Sequence, residues 1–188
     1  TMVIDDADVD TLKGTHSRLK VGTQLQREDM LRLALMSSEN RAASALSRYY
    51  PGGRPAFVAA MNRKAQTLGL QDTHFADPTG LTAQNVSSAR DLAKMVGAAQ
   101  HYPLIRQFTT TSEYEVTVAG RTQEFRNTNS LVRSSSWDIS LSKTGYINEA
   151  GRCLVMQAWL NNKPTIIVLL DSIGKMTRLG DANRIKHW

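Results

Sequence analysis

The chain has 188 residues, of which 41% are hydrophobic and 21% charged, a composition typical of a packed domain that excludes an intrinsically disordered protein. Its longest apolar run, residues 165–170, has the length of a buried strand and falls well short of the roughly 20 residues that span a membrane. The formal net charge of +6 favours anionic surroundings such as nucleic acid, acidic lipid or an anionic polymer. Aromatic residues are only 6% and are not interleaved with the basic ones, so no nucleic-acid partner is expected.

The N-terminus and the metal-binding residue types add little functional information. Residues 1–6 carry neither the basic start nor the apolar core of a signal peptide, so either the protein is not exported or such a segment has been removed. The single cysteine, Cys153, stands among apolar neighbours, which predicts a small buried side chain. Because His16, His74, His101 and His187 share no metal-ligand spacing, neither a metal nor a cofactor is expected.

The first half of the chain predicts helices. Residues 1–22 are mixed in character and suggest at most a short strand. A helix is predicted from Arg27 to residues 37–38, with two acids in its first turn, where the helix dipole favours them. Three more helices are predicted near residues 40–50, 55–69 and 89–100, and Pro103 is expected to close the last one.

From residue 113 the hydrophobic period changes to two, which predicts strands. Residues 113–118 and 122–125 form a hairpin pattern, and three further strands are predicted at 139–146, 152–160 and 165–170. Residues 176–188 are amphipathic and predict a closing helix. The order indicates an α+β fold, in which a helical block precedes an antiparallel sheet covered by helices.

Two short motifs carry the chemistry: Ser38-Glu39-Asn40 and Lys143-Thr144-Gly145. A Ser-x-Asn match is expected about 0.7 times by chance in this composition, whereas Lys-Thr-Gly is expected only about 0.05 times. The second motif, which lies in a predicted strand, is therefore the stronger signal.

The residue types of both motifs suit serine acyl transfer. At a corner between two helices, the hydroxyl of Ser38 could relay a proton while the amide of Asn40 binds a substrate peptide group. Lys143 could hold a carboxylate, and an extended substrate could pair with the strand edge that Thr144 and Gly145 form. The backbone N–H of Tyr146 would be an oxyanion donor. Helix capping by Ser38 and Asn40, and an exposed strand face at 143–144, are the structural alternatives.

Such chemistry also needs a serine nucleophile with a lysine three residues later on a helix. The formal matches are Ser17/Lys20, Ser140/Lys143 and Ser172/Lys175. Residues 140 and 143 point to opposite faces of a strand, the first pair lies outside any predicted helix, and the third follows Lys-Thr-Gly in the chain. None is a convincing nucleophile.

Longer stretches resemble a known family. These stretches are 33–43 around Ser-Glu-Asn, Pro78-Thr79-Gly80-Leu81, 88–92, Asn127-Thr128-Asn129, and 143–155 around Lys-Thr-Gly-Tyr. In order and in character they resemble the low-molecular-mass penicillin-binding proteins, in their D-alanyl-D-alanine endopeptidase/carboxypeptidase branch. The resemblance covers nearly the whole chain and implies a penicillin-recognising serine transpeptidase/β-lactamase-like fold.

The resemblance implies a periplasmic serine DD-peptidase that hydrolyses D-alanyl cross-links of peptidoglycan through an acyl-enzyme and is inhibited by β-lactams. It makes Ser38, Asn40 and Lys143 catalytic, and Thr144, Gly145 and Tyr146 substrate-binding. The family's Ser-x-x-Lys motif would precede Thr1, so residues 1–188 are expected to be a partial domain that works with an N-terminal segment of the same protein. The alternative is a non-catalytic module that binds peptidoglycan peptides through a degenerate site. A β-lactamase is disfavoured because the turn at 77–81 offers no deacylating glutamate.

Overall fold

The computed structural model describes residues 1–188 and begins with a helical half. Its helices are α1 (Arg27–Ser37), α2 (Asn40–Arg48), α3 (Gly53–Thr67), α4 (Ala89–Ala99) and α5 (Pro103–Thr109). Glu28 and Asp29 stand in the first turn of α1, and the side chain of Ser88 caps α4 by accepting a hydrogen bond from the N–H of Asp91. The first, second and fourth helices lie where the sequence predicts them.

Two helix boundaries differ from the prediction for reasons of backbone chemistry. Gly52 adopts a left-handed φ of 90°, which lets α3 begin at Gly53, ahead of the predicted Pro55. Pro103 starts α5, which the sequence analysis missed, because proline lacks only an N–H that the first turn of a helix leaves unbonded anyway. Reading this proline solely as a stop signal was wrong.

The strands of the second half are antiparallel throughout. The hairpin consists of β3 (Glu113–Val118) and β4 (Arg121–Arg126), and the main sheet of β5 (Ile139–Ile147), β6 (Gly151–Leu160) and β7 (Lys163–Ser172) in the order β5-β6-β7. Near the N-terminus, β1 (Met2–Val3) pairs with β2 (Gln24–Leu25). The closing helix α6 spans Thr177–Lys186. The predicted α+β fold is confirmed.

Helices cover both faces of the main sheet. Leu154, Met156 and Ala158 of β6 pack with Ala182 of α6 on one face. On the other face α4 packs against β6 and β7, with Gly97 lying next to Ile166. This arrangement leaves the outer edge of β5, which carries the Lys-Thr-Gly motif, unpaired within the chain.

Most of the buried apolar side chains belong to two separate cores. The helical core contains residues of α1 and α2 together with Met2, Ile4, Val116 and Phe125. The sheet core contains residues of β6, β7 and α6 together with Leu131 and Trp137. None of the helices is both long and apolar enough to cross a lipid bilayer.

Candidate active site

The Ser-Glu-Asn motif forms the corner between α1 and α2. Ser38 ends α1 with φ 54° and ψ 36°, a left-handed conformation that costs a non-glycine residue about 1–3 kcal/mol. Glu39 caps α2, because its carboxylate accepts from the N–H of Arg41 (3.2 Å) and from the hydroxyl of Ser17 (2.5 Å). Since Glu39 supplies the cap, the side chains of Ser38 and Asn40 are free for other contacts.

Lys143 of β5 joins the second motif to the first. Its Nζ donates to the hydroxyl of Ser38 and to the carbonyl of Thr144 (2.7 Å), so the two motifs meet although they lie 105 residues apart in the chain. Burial of the ammonium, together with the positive charge of nearby Arg178, lowers the pKa of Lys143 to about 8. The ammonium thus holds its proton less firmly than an ordinary lysine does.

Asn40 and Thr144 are held by hydroxyl partners. The amide of Asn40 donates to the hydroxyl of Thr15 (3.0 Å), and the hydroxyl of Thr144 donates to that of Thr128 (2.6 Å). The N–H of Thr128 in turn donates to the carbonyl of Met36 in α1 (3.1 Å). These bonds connect the two walls of the site.

The neighbours of Thr128 fix the loop in which it lies. The amide of Asn129 is fully buried and donates to the hydroxyl of Ser142 in β5 (2.9 Å). The amide of Asn127 donates to the carbonyls of Thr109 (2.8 Å) and Thr111 (2.9 Å). Asn127-Thr128-Asn129 therefore joins the sheet to the helical half through hydrogen bonds.

Gly145 and Tyr146 continue the open edge of β5. Gly145 is exposed, and a Cβ placed there would meet no atom within 4 Å, so the strand edge is clear at this point. Tyr146 is 51% exposed; its hydroxyl donates to Asn148 (2.6 Å) and its ring lies 4.2 Å below the guanidinium of Arg152.

All six predicted site residues line one cleft of about 580 Å³. Its lining is Thr15, His16, Ser38, Asn40, Thr79, Gly80, Leu81, Thr128, Lys143, Thr144, Gly145, Tyr146 and Arg178. The structure therefore brings together every residue that the two motifs singled out. It adds the hydroxyls of Thr79 and Thr128, from the stretches that carry the resemblance, together with Thr15 and Arg178, which the sequence analysis did not identify.

Arg178 of α6 is the principal residue that the sequence analysis missed. Its Nη1 donates to the carbonyl of Cys153 (3.2 Å), whereas its buried Nε has no hydrogen-bond partner. Burial and the nearby charge of Arg152 lower the pKa of Arg178, though a guanidinium remains charged. A guanidinium that lines a cleft without an ion pair is suited to a carboxylate ligand. The only sequence signal was a basic residue on the predicted closing helix.

A second wall of the cleft, residues 79–81, is held by Asp77. Its carboxylate accepts from the N–H of Thr79 (2.5 Å), the hydroxyl of Thr79 (2.7 Å), the N–H of Gly80 (2.8 Å) and the N–H of Thr82 (3.0 Å). Burial alone would raise the pKa of Asp77, but these hydrogen bonds outweigh it and lower the pKa. The turn predicted at this segment is thus built around one carboxylate.

None of the three Ser-x-x-Lys serines is hydrogen-bonded to a lysine. The hydroxyl of Ser17 donates to Glu39, that of Ser140 donates to the carbonyl of Gln157 (3.3 Å), and Ser172 is buried without a side-chain hydrogen bond. These contacts agree with the reasons for setting the three pairs aside.

An apolar cavity of about 450 Å³ also borders the Lys-Thr-Gly strand. Its lining includes Val86, Leu92, Ile147, Val155 and Leu170 as well as Lys143, Thr144 and Gly145. Cys153 lies on this wall and is half-buried, so it is less buried than the predicted small buried side chain.

Comparison with known proteins identifies the family. The profile of the peptidase S11 family, D-alanyl-D-alanine carboxypeptidase, matches residues 4–174. The D-alanyl-D-alanine endopeptidase of Escherichia coli K12 is 49% identical over 98% of this chain and 60% of its own length. That of Pseudomonas aeruginosa is 50% identical over 97% of this chain and 59% of its own length.

Solved structures agree with the sequence relatives. The Streptomyces K15 DD-transpeptidase superposes with a TM-score of 0.88 at 29% identity, covering 99% of this chain and 77% of the other. A D-alanyl-D-alanine carboxypeptidase from Mycobacterium tuberculosis gives a TM-score of 0.81 at 26% identity, covering 97% of this chain and 73% of the other. The fold is therefore that of the DD-peptidases.

The chain belongs to the peptidase S11 family of D-alanyl-D-alanine carboxypeptidases. The resemblance inferred from the motifs is thereby confirmed. The chain spans 60% and 59% of the length of the two endopeptidase relatives.

Proposed function

We propose that the protein is a serine DD-peptidase that hydrolyses D-alanyl cross-links of peptidoglycan through an acyl-enzyme and is acylated by β-lactams. The observation that carries this proposal is the hydrogen bond from Lys143 to the hydroxyl of Ser38 across the cleft. It places a cation of lowered pKa against a hydroxyl in a strained corner, which is a means of moving a proton.

Each predicted residue takes a role that follows from its surroundings. Ser38 relays the proton between the reacting group and Lys143, and the amide of Asn40 binds a peptide group of the substrate. The open edge at Gly145 lets the substrate lie against β5 as an added strand. The N–H of Tyr146 serves as an oxyanion donor. Arg178, which lines the cleft and forms no salt bridge, holds a terminal carboxylate of the substrate.

The nucleophile and its partner lysine are proposed to come from a segment of the same protein outside residues 1–188. Within the chain, no serine of a Ser-x-x-Lys pair is hydrogen-bonded to a lysine. The apolar cavity shares Lys143, Thr144 and Gly145 with the cleft that holds Ser38, so an amphipathic helix packed there could present its serine to the cleft. In this proposal residues 1–188 are a partial penicillin-binding domain, and the protein acts outside the cytoplasm, in the periplasm, where peptidoglycan lies.

The test is labelling with a fluorescent penicillin, applied to the protein that carries this chain and its N-terminal segment. The expected result is covalent labelling of one serine, located by peptide mapping outside residues 1–188. A label on Ser17 or Ser172 would contradict the proposed site. A protein that binds wall peptides without labelling or turnover would instead be the non-catalytic binding module.

A further inference from the structure

A groove of positive charge leads away from the candidate active site. The cleft shares His16 with a neighbouring cavity of about 380 Å³, which in turn shares Arg18 with an outer cavity of about 750 Å³. The segment from His16 to Lys20 therefore borders all three cavities in succession. The basic side chains that line the two outer ones are Arg18, Lys20, Arg121 and Arg126, and we call this set the basic track.

The inner side of the track is a segment whose residues alternate in burial. His16, Arg18 and Lys20 are exposed, whereas Ser17 is half-buried and Leu19 is fully buried. The segment is fixed by the bond from Ser17 to Glu39 and by the guanidinium of Arg41, which donates to the carbonyl of Leu19 (3.0 Å). Because the buried residues are anchored, the basic side chains are held on one side.

The charge of the track is mostly uncompensated. Lys20 and Arg121 form no salt bridge, and the outer cavity has no acidic residue in its lining. Arg126 pairs with Glu124 (3.0 Å), and Arg18 donates to the backbone carbonyl of Glu124 while its guanidinium lies over the ring of Phe125. The other facing acid is Glu39, whose pKa burial raises.

We propose that the basic track binds an acidic peptide chain that extends from the cleft, as a subsite for the carboxylate-bearing strand of the peptidoglycan substrate. This proposal rests on the proposed function, because the segment that carries the basic side chains also lines the cleft at His16, which favours a substrate chain over other polyanions. The steps from His16 to Lys20 span at most about 14 Å, which suits roughly four residues of an extended peptide. Carboxylates spaced along such a chain would face successive cations.

The first arm of the test compares two probes on the unmodified protein. Soluble cross-linked peptide fragments of cell wall are prepared with free carboxylates and, as matched probes, with these carboxylates converted to amides. Both probes keep the terminal carboxylate that Arg178 is proposed to hold. Binding by calorimetry should be roughly fivefold to tenfold tighter for the free acids at low salt, and the difference should shrink at high salt. Equal affinity for both probes would overturn the proposal.

The second arm locates the effect. The double variant Lys20→Glu with Arg121→Glu should lose the preference for free carboxylates, whereas the matched control Lys94→Glu with Lys163→Glu, of equal net charge and outside the track, should keep it. Equal loss of the preference in both variants would show that only net charge matters and would overturn the proposal. Tighter binding to vesicles of anionic lipid than to the acidic fragments would also overturn it. Penicillin labelling of the unmodified protein is measured in parallel, so a failure of the DD-peptidase function is seen separately.

Discussion

The contact between Lys143 and Ser38 shows how two weak sequence signals become one chemical unit. Neither residue type is unusual, but the fold places the ammonium where burial and Arg178 lower its pKa to about 8. It also places the serine in a left-handed conformation that ordinary helix ends assign to glycine. Strain and desolvation at the same point are typical of functional sites.

Replacement of Lys143 tests this unit directly. In the complete protein, Lys143→Ala should lose roughly 10²–10⁴-fold in the rate of penicillin acylation, because it removes a positioned donor to Ser38. Lys143→Arg should also be impaired, since the planar guanidinium cannot reproduce a compact ammonium. Lys94→Ala, at an exposed position of α4, is the control. Normal acylation by a folded Lys143→Ala protein would show that the strand motif is structural.

The lowered pKa of Lys143 predicts the pH dependence of the reaction. The role proposed for Lys143 is that of a cation beside the hydroxyl of Ser38 and the carbonyl of Thr144, so the protonated form is the active one in this proposal. Protonation is lost as the pH rises through about 8, and the acylation rate should therefore fall on the alkaline side of that value. The rate constant is measured with a chromogenic β-lactam between pH 6 and 10. A rate that rises across this range would assign Lys143 the role of a base.

The sequence predicted which motif residues share the cleft, but it did not predict Arg178, whose positive charge helps to lower the pKa of Lys143. Short motifs identify Ser38, Asn40 and Lys143, because the residues of each motif are neighbours in the chain. Arg178 reaches the cleft only because α6 packs back on the sheet, and nothing near it in the chain records that approach. The lowered pKa of Lys143 likewise depends on tertiary burial.

At the scale of elements, the hydrophobic period predicted most helices and strands. The glycine and proline residues at their ends predicted the boundaries less reliably. The hairpin and the three sheet strands lie where alternation placed them, since alternation follows directly from burying one face. The short helix α5 was not predicted, because a proline can follow the end of one helix and also occupy the first turn of the next. The last strand, β7, is longer than its apolar run because its ends pair through backbone groups alone.

The turn at residues 77–82 supplies a test of an element that shapes the cleft. Asp77→Asn should destabilise the fold by about 1–3 kcal/mol at neutral pH, because the ionised carboxylate accepts several hydrogen bonds that an amide cannot match. The pKa of Asp77 is lowered below its ordinary value of 3.8, so this stabilisation is present above that value and is lost as the pH falls through the folded-state pKa.

Urea unfolding of both proteins between pH 2.5 and 7 measures the effect of this substitution. The difference in the free energy of unfolding should be greatest near neutrality and should shrink in acid. The matched control is Asp72→Asn, because the carboxylate of Asp72 is exposed and makes no hydrogen bond. A difference independent of pH would show that the Asp77 carboxylate does not act through its charge.

At the scale of the whole molecule, the chain exposes surfaces that usually lie inside a protein. The outer edge of β7 has no strand partner within residues 1–188, the cavity beside β5 is lined by apolar side chains, and Ile173 and Trp188 are fully exposed. Free strand edges and apolar surface favour aggregation.

Residues 1–188 produced alone should therefore be poorly soluble or molten, and co-production with the N-terminal segment should restore a cooperatively unfolding protein. Size-exclusion chromatography, thermal unfolding and dye binding to exposed apolar surface measure the two samples. A monomeric chain that unfolds cooperatively without any partner would refute this expectation and favour the binding-module alternative.

The separation of the apolar residues into two cores has a mechanical consequence. Each core is close-packed, whereas the contacts across the cleft are polar: Lys143 with Ser38, Thr144 with Thr128, and the ion pair of Lys13 with Glu149. Widening the cleft at these points would break hydrogen bonds and an ion pair before it reached either apolar core. Water that enters on opening would rehydrate Lys143 and make it more basic. Opening and closing thus changes the proton affinity of the group on which the site depends.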